Sequence, residues 1–190
     1  MFDFLKPRTK IRPEELGIAL AVGSITFKKI TKSVSEYKDV PDITEAELQN
    51  LWRVLLMLHC VVISVGVKST GITAQNEKIV LDAFWNTVAD LLREQVSEDE
   101  ALEFQHNTAK WYPQLRELLV DPSLGFTEAG LGPGKALLAM AMPHRDLKEN
   151  VDVAIRLTLL EFTPTYAAFT KFAVDSVKKS KFAESMISYE

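Results

Sequence analysis

Apolar residues in this chain recur at intervals of three and four and nowhere alternate with polar ones for long, so the pattern predicts helices from end to end. From Pro13, apolar positions fall at Leu16, Leu20, Phe27, Ile30, Val34 and Tyr37, the stripe of one amphipathic helix ending near Asp39-Val40-Pro41. A proline in its first turn and the acids Glu14 and Glu15 suit a helix start. The next helix opens at Thr44-Glu45-Ala46-Glu47, a capping box, and runs to about Lys68. Leu48, Trp52, Leu55, His59, Val62 and Gly66 share one face, yet residues 54–67 are apolar nearly all round. A helix apolar on every side is a buried one, so residues 44–68 are expected to form the centre of the bundle.

A third helix is expected over roughly 73–96, with Val80, Phe84, Val88 and Leu91 inward, and a fourth after the capping box Ser97-Glu98-Asp99-Glu100. Pro113 should break that fourth helix into a piece ending near Trp111 and a piece from Pro113 to Val120. Residues 121–134 hold four of the eight glycines and two of the eight prolines, the longest irregular stretch and the natural place for a functional loop. A short helix from Lys135 to Met142 follows, then one from Leu147 to about Thr163, a bend at Pro164 and a last helix reaching about Lys181. The fold class is all-α: a single-domain bundle of about six or seven helices over 13–190, preceded by a basic, aromatic segment over 1–12.

Composition agrees with a packed domain: 190 residues, 47% apolar and 25% charged. The net charge of −4 is uneven, with residues 1–38 net basic and residues 39–130 strongly acidic. Nucleic-acid binding needs a clustered cationic face, so no nucleic-acid partner is expected. Cys60 is the only cysteine, which excludes an intrachain disulfide and a multi-cysteine zinc site. A reducing, cytoplasmic location is the matching expectation. Lys6, Arg8, Lys10 and Arg12 before the apolar 16–25 imitate a secretory signal, but Pro13-Glu14-Glu15 between them makes a better helix start. No run of 18 or more apolar residues suggests a membrane span.

Five short stretches invite chemistry. HRDLKEN (144–150) resembles a kinase catalytic loop, but the residue five after Asp146 is Val151, with Asn150 one place short, and no glycine-rich strand turn, VAIK lysine or DFG accompanies it. Asp146 reads instead as the cap of the helix that follows. GLGPGK (130–135) has Ala129 where a phosphate-binding loop needs glycine and Ala136 where it needs a hydroxyl, leaving only a weaker anion site at backbone amides. Glu103 and His106 have the i, i+3 spacing of a di-iron ligand pair, but with three histidines in all, and no glutamate three residues before His59 or His144, a full site cannot be assembled. No metal and no cofactor is therefore expected.

His59 lies on the face of Trp52 and Leu55, where a buried imidazole needs a partner or a ligand. The corresponding ligand-pocket candidates are Trp52, His59, Cys60, Trp85 and Trp111. Phe2, Phe4 and Leu5 beside Lys6, Arg8, Lys10 and Arg12 suit a partner protein or an anionic membrane surface. With no catalytic constellation, the sequence favours a non-enzymatic helical interaction or regulatory module that binds a protein partner or self-associates. The alternatives are a small-ligand sensor with an apolar pocket near His59 and, more weakly, a metal-dependent enzyme using Glu103 and His106.

Overall fold

The structure, a computed structural model, describes residues 10–120 and 132–182. Its helices are α1 (Pro13–Ser24), α2 (Phe27–Ser35), α3 (Glu45–Lys68), α4 (Ala74–Arg93), α5 (Glu98–Val120), α6 (Gly132–Ala141), α7 (Val151–Arg156) and α8 (Thr163–Lys179), with a π-helical stretch, Leu157–Phe162, joining the last two. The all-α bundle is thus as expected, and α3 is its axis: α2, α5, α6 and α8 pack on it, while α1 lies mainly along α4. A two-residue parallel pair, β1 (Lys10–Ile11) with β2 (Lys181–Phe182), ties the two ends of the described chain together.

The start of α3 is fixed by the expected capping box: the Glu47 amide donates to Thr44 Oγ1 at 3.2 Å and the Thr44 amide to Glu47 Oε2 at 2.8 Å. Beyond the first turns, Leu51, Val54, Leu56, Met57, Leu58 and Ile63 are fully buried. Each such side chain removed from water contributes about 1.5–3 kcal/mol, so α3 is held by tertiary burial rather than by its own propensity. By length and hydropathy α3 is also apolar enough to cross a membrane, but 83% of its most apolar 18-residue window is buried against other helices of the bundle.

Glu47 has a second task. Arg145, from HRDLKEN, reaches back 98 residues to donate through Nε and Nη2 to its two oxygens at 2.7 and 3.0 Å, and through Nη1 to the Pro41 carbonyl at 3.0 Å. The Arg145 hydrogen bonds, helped by Thr44, hold the Glu47 carboxyl at about 2. That motif is therefore a clasp on the head of α3. Arg145→Met should cost on the order of 2 kcal/mol, the worth of a charge-assisted bond pair left unmade; a urea titration would show a lower midpoint with an unchanged slope.

Five local expectations need correction. The first helix does not run to Tyr37: Ile25 is extended (φ −84°, ψ 106°), and two β-branched residues, Ile25 and Thr26, separate α1 from α2. Ser24 adds a competing bond, its hydroxyl donating to the Leu20 carbonyl at 2.7 Å. In α5, Pro113 does not break the helix; its ring is exposed, and burial of Trp111 and Leu115 on either side holds the helix together.

Asp146 does not cap a helix. Its Oδ1 accepts from the Lys148 amide at 2.8 Å, an Asx turn, and the helix begins only at Val151. At Pro164 the chain does not pass from one helix to a separate one: α7, the π stretch and α8 are continuous, and the Thr163 amide donates to the Thr158 carbonyl, five residues back, so the proline follows directly on the π stretch. Finally, α6 begins at Gly132, not Lys135, and of the 121–134 stretch only these first helical residues lie within the described structure.

Candidate functional site

Two hollows share α2 as a wall. The larger is an open groove of about 440 Å³ between α2, the first turns of α3 and the α4–α5 junction. Its apolar floor is Phe27 stacked on Trp52, ring centroids 5.9 Å apart and 15° from parallel, with Val34 and Leu48 beside them. Trp52 Nε1 donates to Thr31 Oγ1 at 3.3 Å, which fixes the indole without burying it. Around the floor stand the amides of Gln49 and Gln95, Ser35, and the charges of Lys38, Glu45 and Glu100.

Arg53, only 7% exposed, closes the floor and is engaged through both terminal nitrogens: Nη1 and Nη2 donate to Glu103 Oε1 and Oε2 at 3.0 and 2.9 Å, and Nη1 also to Asn50 Oδ1 at 3.0 Å. This bidentate pair gives the groove a rigid back wall. It also counts against the Glu103/His106 metal reading, since both Glu103 oxygens serve Arg53 while His106 is exposed. Among the described residues no group of three His, Cys, Asp or Glu side chains is placed to hold a metal ion.

The smaller hollow, about 70 Å³, lies on the other side of α2, between Lys29, Ile30 and Ser33, Leu55 and His59 of α3, and Glu161 and Thr165 at the π–α8 junction. His59 is 4% exposed; its Nε2 stands 3.5 Å from Thr165 Oγ1, its ring lies against Phe169, and its Nδ1 has no hydrogen-bond partner. Burial, with a smaller contribution from the Lys29 charge, lowers its pKa to about 4, so at neutral pH the imidazole is uncharged. Glu161 is 6% exposed, although the neighbouring Leu159 and Leu160 face solvent. Burial pushes its carboxyl up, the polar Ser33 side chain opposes this, and the Glu36 charge adds to the rise. Next to it the buried Tyr37 hydroxyl has no partner, while the Arg156 guanidinium sits 4.7 Å above the Tyr37 ring.

The five pocket candidates are not gathered into one site. Trp52 belongs to the groove and His59 to the small cavity, although both lie on α3. Cys60 is wholly buried, and burial raises its thiol far above the ordinary range, which removes it as a nucleophile. Trp85 packs edge-on against Phe84 and Tyr112, and Trp111 is a core residue of α5. Of the N-terminal contact set, Phe2, Phe4, Leu5, Lys6 and Arg8 lie outside the described residues; Lys10 is in β1, and Arg12 pairs with Glu15 at 2.8 Å. The anion-site candidate at GLGPGK is also weakened, because the Gly134 amide already donates to Thr158 Oγ1 at 3.0 Å.

Phe27, Arg53 and Glu161 were not singled out from the sequence. Phe27 looked like one more member of the core stripe. Glu161 carries no legible signal: in Leu159-Leu160-Glu161-Phe162 the π turn exchanges the exposures that hydropathy predicts. No family model, curated protein or solved structure matches the chain.

Proposed function

We propose that the protein is a non-enzymatic binding module whose working surface is the Phe27–Trp52 groove, and that the partner is a polypeptide segment presenting one aromatic or aliphatic anchor residue. The observation that carries this is the stacked aromatic pair kept accessible on the floor of a hollow, braced by the Thr31 bond and the Arg53–Glu103 clamp, when Phe84 and Trp111 are buried outright. Rigid aromatic residues inside a partly desolvated pocket are where binding energy concentrates. Gln49 and Gln95 on the rim carry both donors and acceptors, matching the peptide groups that would flank an anchor. The rim holds charges of both signs, which supports a polypeptide over a phosphate backbone or an anionic lipid surface.

A small apolar molecule in the same groove is the second reading, favoured by volume alone: ligand pockets run to about 300–1,000 Å³, and the cavity at His59 is far below that.

The test is selection of displayed random peptides on the full chain, with counter-selection on Trp52→Ala, followed by calorimetry. Enriched peptides should share an apolar anchor and lose on the order of thirtyfold in affinity, about 2 kcal/mol, on Trp52→Ala, with the helical circular dichroism unchanged. Peptides that bind the variant and the parent equally, or no enrichment, would overturn the proposal.

A further inference from the structure

The two walls of the groove differ in charge. On one side Thr31 and Ser35 of α2 line it, and Lys28 and Lys32, both exposed, share their stripe at spacings of three and four. Residues 27–38, which end on the lining Lys38, hold four lysines and one acid. On the other side Gln95, Val96 and Glu100 line the groove, and residues 94–100 hold four acids and no cation. Between the walls the Arg53 charge is already taken up by Glu103. Glu45 also lines the groove, on α3 rather than on either wall. Among the described residues none of Lys28, Lys32, Lys38, Glu98 and Asp99 enters an ion pair, so both walls present their charge to whatever occupies the groove.

Resting on the groove reading, we propose that the partner segment is itself divided in charge: it crosses α3 in an extended form, with carboxylates on the α2 side of its anchor and lysines or arginines on the α5 side. Walls of opposite sign steer a segment of that order into the groove. They reject the reverse order, in which like charges would face each other on both sides. The rim glutamines, Gln49 and Gln95, favour an extended chain, because a helix satisfies its peptide groups internally and an extended segment leaves them free to be met. Packed helix axes stand about 8–10 Å apart, so walls on either side of α3 are about 16–20 Å apart. An extended chain rising about 3.3 Å per residue crosses that distance in about six residues, which places the charged positions roughly two to four residues from the anchor.

The displayed peptides selected on the full chain, aligned on their anchor, supply the test. Acids should be enriched on one side of the anchor and bases on the other, in one shared order. Synthetic copies with the acids and bases exchanged should bind about tenfold more weakly, the worth of two or more exposed ion pairs. Affinity of the unexchanged peptides should fall as salt is raised from about 50 mM to about 500 mM. Selection repeated on the double variant Lys28→Glu, Lys32→Glu should return peptides that keep the anchor and lose the acids. That variant alters only exposed side chains; if it fails to fold, the exchanged peptides and the salt series, both measured on the parent, decide the matter. Anchored peptides without a charge order, or with an affinity indifferent to the exchange, would overturn this proposal and leave the groove reading standing. Peptides without an anchor, peptides indifferent to Trp52→Ala, or no enrichment would overturn both.

Discussion

Gly134→Ala is expected to destabilise the bundle by about 3 kcal/mol, the upper end for an overpacked core. A Cβ at this position would stand 1.8 Å from the Ala154 carbonyl oxygen and 2.3 Å from Thr158 Oγ1. Neither can yield cheaply: the first is helix backbone, and the hydroxyl is held between the Gly134 amide, which donates to it, and the Ala154 carbonyl, to which it donates at 2.9 Å. Relief requires α6 to move off α7 and the π stretch, which would disturb the geometry that brings Glu161 inward. Gly71→Ala is the matched control. Gly71 has φ +70° with nothing within 4 Å of an added Cβ, so only backbone strain of about 1 kcal/mol is expected. Urea denaturation of the two variants beside the parent should separate them clearly; equal costs would mean that α6 is not seated as described.

The second large effect is on acid stability. His59 is held neutral in the fold, with a pKa of about 4 against an ordinary 6.5. Between those values the unfolded chain binds a proton that the folded chain refuses, so the contribution is fully present above about pH 6.5 and is lost as pH falls toward 4. The loss should be on the order of 3 kcal/mol. Glu161 acts in the opposite sense, adding stability at acid pH, so the His59 contribution is read as the difference between the parent and His59→Gln across the same range. Gln keeps a polar group beside Thr165 and does not titrate. Unfolding free energies of the two proteins should converge as pH is lowered, the parent losing more; parallel curves would mean that His59 is solvated in the folded state.

The sequence disclosed what depends on repetition. The buried run 54–67 and the Thr44 and Ser97 capping boxes place α3 and the start of α5, because those features repeat a local rule over many residues. It hid what depends on a single residue meeting a distant one. Arg145 in HRDLKEN carries no local sign that its partner is Glu47, and Glu103 with His106 shows a ligand spacing while Arg53, fifty residues earlier, claims the carboxylate. The His59 problem was visible as an imidazole on an apolar face, but its neighbours Glu161 and Thr165 come from a π turn that helical periodicity cannot anticipate. The groove was half legible: Trp52 was a candidate, while Phe27 counted as core until the break at Ile25 set α2 at its own angle over α3.

The most direct measurement is fluorine NMR of the chain labelled with 5-fluorotryptophan, which gives one probe in the groove, Trp52, and two outside it, Trp85 and Trp111. On titration with a peptide recovered by selection, the Trp52 resonance, assigned by its loss in Trp52→Phe, should shift in proportion to occupancy while that of the core Trp111 stays in place. Binding that moves Trp85 or Trp111 and leaves Trp52 untouched would contradict the assignment of the groove as the working surface.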